Sequence, residues 1–157
     1  QIPLPFGAQV TVSAEHGNFY QTSAGFIPRQ HLRATGDFLT DPREVAKMFL
    51  GCPYLWGGNS AAGIDCSGLI QAACHATGRA CPGDSGPQQK FFPATEGDWA
   101  PGQLIFWPGH VALTLSATHL IHANAHAMAV GIEAIDVAIA RIEAAGDGPM
   151  LQRSQLT

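Results

Sequence analysis

The stretch YLWGGNSAAGIDCSGLIQAAC runs from Tyr54 to Cys74. Aromatics lead into a glycine pair, a small-residue turn follows, and Asp65-Cys66-Ser67-Gly68 opens an apolar run. Leu69, Ile70, Ala73 and Ala76 recur at helical spacing, and Gly78 suits the helix end. Asp65 is a good N-cap, which puts Cys66 in the first turn. Unpaired N–H groups and the helix dipole favour an anion there. Thiolate is the reactive form of cysteine, and such positions lower its pKa from about 8.5 to roughly 3.5–7.5. Gly57, Gly58, Gly63 and Gly68 leave space beside the sulfur for a substrate. The competing reading is a buried structural cysteine whose neighbouring glycines serve only the turn.

Upstream, DPREVAKMFLG predicts a helix. Asp41 caps it, Pro42 takes the first helical position, Glu44 completes a capping-box pattern, and Gly51 ends it. Downstream, Cys81–Gln89 reads as a loop. LIFW, HVALTLS and HLIHA then read as strands of an antiparallel meander. Met128–Ile132 adds a further strand. Ile135, Ile139 and Ile142 predict a last helix over 134–145. Residues 1–35 hold short β-type runs, 33–40 read as a linker, and 41–150 form the main domain. Helices precede a block of strands, so the fold class is α+β.

The 157 residues carry a net charge of −4, with 18 Gly and 11 Pro. A chain of this size buries roughly two-thirds of its unfolded surface, so it needs no disulfide staples. The absence of a basic patch argues against nucleic acid and acidic membrane surfaces as partners. No apolar run reaches the roughly 18 residues of a membrane span. There is no C-x-x-C pair among Cys52, Cys66, Cys74 and Cys81, and Cys74-His75 with Cys81 fits zinc spacing poorly.

A thiolate nucleophile needs a base, and the base an orienting group. Of seven histidines, His110 opens one predicted strand and His122 ends the next. A hairpin about Ala117-Thr118, with paired positions adding to about 235, brings both to one end of the pair. His110 then serves as the base for Cys66, and His122 orients His110. His126 is an alternative to His122. Both histidines also read as ordinary strand-end residues.

Together these residues resemble the NlpC-type cell-wall peptidases, papain-like cysteine enzymes that cut peptidoglycan peptides. YLWGGNSAAGIDCSGLIQ, PGQLIFWPGHVAL and LIHANAHAMAV carry the likeness, over roughly Asp41 to Met150. The resemblance implies a papain-like fold with Cys66 as nucleophile, His110 as base and His122 as third triad member. It makes Tyr54 an oxyanion donor beside the Cys66 amide. It implies substrate contacts at Asp65, Ser67 and Ser85, with Trp56 reading equally as a substrate residue or a core aromatic. LPFGAQVTV and GFIPRQHL resemble the last strands of a bacterial Src-homology-3-like domain, so residues 1–35 are expected to be part of one. The chain departs from the family pattern at Gly102-Gln103-Leu104, where Gly-Asp-Leu is usual, and at Gly83 before Asp84, where Arg is frequent.

The expected reaction is cleavage of the γ-D-glutamyl–diamino acid amide of a murein peptide, with no metal or organic cofactor implied. The rivals are an acyltransferase or amidase on the same fold, and a non-catalytic wall-binding module. A cytoplasmic recycling role is expected because the nucleophile must stay reduced. A periplasmic or secreted setting is the alternative, since the chain begins at Gln1 rather than Met.

Overall fold

The computed structural model describes residues 3–156. Strands β1 (Val12–His16), β2 (Phe19–Thr22) and β3 (Gly25–Pro28) form a small antiparallel sheet in the N-terminal segment. Helix α1 (Pro42–Lys47) follows the linker. Asp41 caps it by accepting from the Arg43 amide at 2.8 Å. The expected capping box does not close: Glu44 turns outward and pairs with Lys47 at 2.7 Å. The Arg43 guanidinium meanwhile holds the Asp41 carboxylate at 2.6 Å.

Two two-residue strands, β4 (Asn59–Ser60) and β5 (Gly63–Ile64), form a hairpin that delivers the chain to α2 (Cys66–Ala76). The helix ends at Thr77, and Gly78 takes φ 75°, the left-handed conformation that glycine adopts without penalty. The segment read as a loop over 81–89 instead turns helical as α3 (Ser85–Phe91). Gln88 explains why: it is fully buried and its amide donates to the carbonyls of Ser67 and Pro82 at 3.0 and 2.9 Å. A long-range anchor of this kind overrides the local Gly-Pro signal.

The meander is present as β6 (Gln103–Trp107), β7 (His110–Thr114), β8 (His119–Asn124) and β9 (Ala129–Ala134), followed by α4 (Ile135–Ala144). A last strand, β10 (Gln152–Gln155), was not foreseen; it pairs with β6 and completes the sheet order β10-β6-β7-β8-β9. Its sequence, QRSQ, has no apolar pattern to announce it. Its place comes from edge pairing rather than from its own side chains.

Helices cover both faces of this sheet. Leu104, Phe106, Val111, Leu113, Ile121 and Ala123 pack with Leu69, Ile70 and Ala73 of α2 and Val45 and Ala46 of α1. Ile105, Trp107, Ala112 and Leu120 pack with Ile135, Ala138 and Ile142 of α4. Every residue of β6 is therefore buried, which is why LIFW reads as a continuous apolar run rather than an alternating one.

Leu113 lies opposite Ile121, and Thr114 opposite Leu120, one step from the expected register. The difference matters, because a one-residue slip sends a strand's side chains to the other face. The expected register would have set His110 and His122 on opposite faces. The observed one puts them on the same face.

Candidate active site

Asp65 builds the start of α2. Its Oδ1 accepts from the Gly68 amide at 2.7 Å and from the Ser67 hydroxyl at 3.0 Å. Its Oδ2 accepts from the Gly57 amide at 2.8 Å. One carboxylate thus caps the helix and ties the Trp56-Gly57-Gly58 turn to it. Cys66 is the first helical residue, as expected.

Cys66 is 7% exposed and belongs to the α2-side core. Burial pushes the thiol pKa up, the reverse of the helix-start expectation. The amides of Val111, Ser67 and Cys66 itself oppose that shift without overcoming it, and Asp65 adds to it. Desolvation of a charge outweighs the helix-end field here. The resting form is a protonated thiol that faces the Gly109 carbonyl at 3.9 Å. Among the described residues no hydrogen bond joins the sulfur to His110, its neighbour in sequence to Gly109. Catalytic contacts are often long in the free state and tighten with substrate.

His110 Nε2 lies 2.9 Å from His122 Nδ1. His122 is 1% exposed, and its Nε2 lies 3.2 Å from Glu133 Oε2. Arg141 of α4 donates to both oxygens of that carboxylate, at 3.0 and 2.7 Å. Burial lowers the pKa of both imidazoles, His110 to about 3 and His122 to about 4. The Arg141 guanidinium holds Glu133 below the usual carboxylate range.

Glu133 and Arg141 had not been foreseen. The signal was available only through register. Leu120 faces Glu133 and His122 faces Gly131 in the β8–β9 pair, so His122 and Glu133 are diagonal neighbours on one face. Gly131 leaves the place directly opposite His122 without a side chain.

Tyr54 is half-buried, and its phenol pKa is raised by burial and by the nearby negative forms of Cys66 and Asp65. The phenol is therefore protonated, and the residue packs against the core cluster that contains Cys66. Trp56 is 88% exposed, which removes the core-aromatic alternative. Ser67 is buried, and Ser85 is half-buried at the start of α3. His126 is exposed in the β8–β9 turn, outside the His110–His122 bond. All four cysteines are free, and Cys74 lies in the core.

Residues 51–143 match the NlpC/P60 family model, more than half of the chain. The chain belongs to the NlpC/P60 family. The match takes in Cys66, His110, His122, Glu133 and Arg141. Among NlpC/P60-related proteins, one from Bacillus cereus (strain ATCC 10987 / NRS 248), named gamma-D-glutamyl-L-lysine dipeptidyl-peptidase, is 33% identical over 131 residues. These are 78% of this chain and 37% of that one. A Bacillus subtilis (strain 168) protein of the same name is 31% identical over 144 residues, 78% of this chain and 47% of that one. The chain thus spans less than half the length of these curated relatives. A crystal structure of an NlpC/P60 family protein from Bacillus cereus ATCC 10987 superposes with a TM-score of 0.80 at 25% identity. It covers 97% of this chain, the N-terminal sheet included, and 55% of its own.

Proposed function

We propose that this chain is the catalytic part of a cysteine peptidase that hydrolyses the γ-D-glutamyl–diamino acid amide of murein peptides. The observation that carries the reading is the His110–His122 bond of 2.9 Å beside a helix-start cysteine. A wall-binding module has no use for a half-buried histidine bonded to a buried one near a free thiol.

The thiol leaves the Gly109 carbonyl and gives its proton to His110 Nδ1 as the sulfur attacks the substrate carbonyl. The Cys66 amide and the Tyr54 hydroxyl donate to the developing oxyanion. Collapse breaks the C–N bond, and His110 returns the proton to the leaving amine. This leaves a thioester on Cys66. His110 then takes a proton from water, hydroxide adds to the thioester, and the restored thiol departs from a γ-D-glutamyl carboxylate. Charge separates only as the bond forms, in keeping with the raised thiol and lowered imidazole pKa values.

Asp65 has one acceptor position left, on Oδ2, after its three internal bonds. A substrate ammonium fits there, with Ser67, Ser85 and the exposed Trp56 as further contacts. The N-terminal three-stranded sheet reads as part of a Src-homology-3-like domain flanking the cleft, and a reduced compartment such as the cytoplasm suits the free thiol. The test is mass-spectrometric product analysis with L-Ala-γ-D-Glu-L-Lys and its diaminopimelate counterpart. Release of the free diamino acid by the chain, and its loss in Cys66→Ala, is the expected result. Turnover of simple amides or acyl transfer to added amines, with both peptides left intact, would overturn the substrate assignment.

A further inference from the structure

We propose that Glu133, clamped by Arg141, is a positioning residue that fixes the tautomers of His122 and His110, so that His110 presents a bare Nδ1 to Cys66. The inference rests on the catalytic reading above and extends it beyond the three residues of the triad.

The argument runs inward from α4. Arg141 spans both oxygens of Glu133, at 3.0 and 2.7 Å, in the two-pronged geometry that favours an ionised carboxylate. An ionised carboxylate only accepts hydrogen bonds. His122 Nε2, 3.2 Å from Glu133 Oε2, must then carry the hydrogen. A neutral imidazole has one N–H, so His122 Nδ1 is bare. The 2.9 Å contact from His110 Nε2 to that atom requires the hydrogen on His110 Nε2. His110 Nδ1 is left as the free base. The opposite tautomers would keep a bond between the rings, from His122 Nδ1–H to His110 Nε2, but would set a lone pair of His122 Nε2 against the carboxylate and put the hydrogen of His110 on Nδ1, where it could not take the thiol proton.

The groups around Glu133 are His122 from β8, Arg141 from α4, and His126, which shares with His122, Gly131 and Glu133 the lining of a cavity of about 130 Å³. Asp147, beyond α4, acts on Arg141. Arg141 lowers the pKa of His110 while Glu133 raises it, so the ion pair contributes little net charge. Its effect is mainly orientation.

The test uses the full chain, with ring-nitrogen NMR and the pH profile of Cys66 alkylation by iodoacetamide, neither of which requires the substrate to be known. In the wild type, His122 is expected with its hydrogen on Nε2. Glu133→Gln supplies an amide that can donate as well as accept. It should give a tautomer mixture and slow alkylation and kcat by about 10- to 100-fold, with KM little changed. Arg141→Met should move the acid limb of the profile upward and Glu133→Gln downward, opposite shifts that a purely structural role does not produce. Arg141→Lys should restore the wild-type limb in part. A wild-type spectrum with the His122 hydrogen on Nδ1 sinks the proposal, even if no variant folds. So does a folded Glu133→Gln with unchanged tautomers and alkylation. If the wild type leaves both murein peptides intact while these shifts appear, the substrate reading falls and the relay stands.

Discussion

The amide of Gly57 donates to Asp65 Oδ2 at 2.8 Å, so the turn that carries Trp56 and the helix that carries Cys66 share one carboxylate. Asp65→Ala removes three internal hydrogen bonds together, the helix cap to the Gly68 amide among them. Loss of a cap alone costs about 0.5–2 kcal/mol. We expect a loss at the upper end of that range or beyond, read as a lower urea midpoint. Asp65→Asn keeps an acceptor for the Gly68 amide and should recover part of it. If Asp65 also meets a substrate ammonium, Asp65→Asn raises KM for the free peptide and leaves that of its N-acetylated form unchanged. Equal effects on both peptides would confine Asp65 to the cap.

Glycine is required in this region for two different reasons, and substitution separates them. A Cβ on Gly58 would stand 2.4 Å from the Gly63 carbonyl oxygen, and one on Gly68 would stand 2.5 Å from the Gly58 oxygen. Both obstacles are backbone atoms and cannot rotate away. Gly57 has open space around it but takes φ 75°. Gly57→Ala should therefore cost about 1–2 kcal/mol, the strain of the left-handed region alone. Gly58→Ala and Gly68→Ala should cost more, because the first forces Gly63 of the β4–β5 hairpin away from the Gly58 turn and the second forces α2 away from that turn. Thermal denaturation of the three variants gives the ranking. A Gly58→Ala protein as stable as Gly57→Ala would show that the hairpin yields easily.

Much of this site was legible from residue order. Asp65, Cys66 and the apolar face after them declare a capped helix, because capping and periodicity are local properties. The meander was legible for the same reason. What lay outside the local signal depended on register and long-range anchoring. Glu133 and Arg141 look like surface charges in sequence, and only the pairing of β8 with β9 sets Glu133 beside His122. Gln88 turns a Gly-Pro segment helical through bonds to Ser67 and Pro82. The thiol went the other way: the helix-start rule was satisfied locally, but enclosure of the sulfur by the core, a tertiary effect, decided the sign of its pKa shift.

Burial of two neutral imidazoles ties stability to pH. The folded-state values, about 3 for His110 and about 4 for His122, lie below the ordinary 6.5. Between those limits the unfolded chain binds more protons than the folded one, so stability rises with pH and is lost as pH falls from about 6.5. Each histidine contributes roughly 1.4 kcal/mol per pH unit inside its window. Glu133, held low by Arg141, adds stability above the ordinary carboxylate value that is lost below it. Urea midpoints measured from pH 7.5 to 4.5 should fall steeply below about 6.5. His122→Asn should remove close to half of the slope between 6.5 and 4.5. A flat profile there would mean that the imidazoles are hydrated in the folded state.

The two nitrogens of His122 serve different partners, and amide side chains can replace them one at a time. Nδ1 meets His110 and Nε2 meets Glu133. The Asn carbonyl lies about where Nδ1 lies, counted from Cβ, while the longer Gln reaches toward Nε2. His122→Asn can accept from His110 Nε2 but loses Glu133. His122→Gln can meet Glu133 but not hold His110 in the same way. His122→Leu does neither, and leaves a buried N–H of His110 without a partner at a cost of about 1–3 kcal/mol. If His110 orientation limits the rate, kcat should fall in the order wild type, Asn, Gln, Leu, and stability should be lowest for Leu. If the contact to Glu133 dominates instead, Gln will outrank Asn. Steady-state kinetics on the three variants, with folding checked by circular dichroism, decides which half of the His122 ring governs turnover.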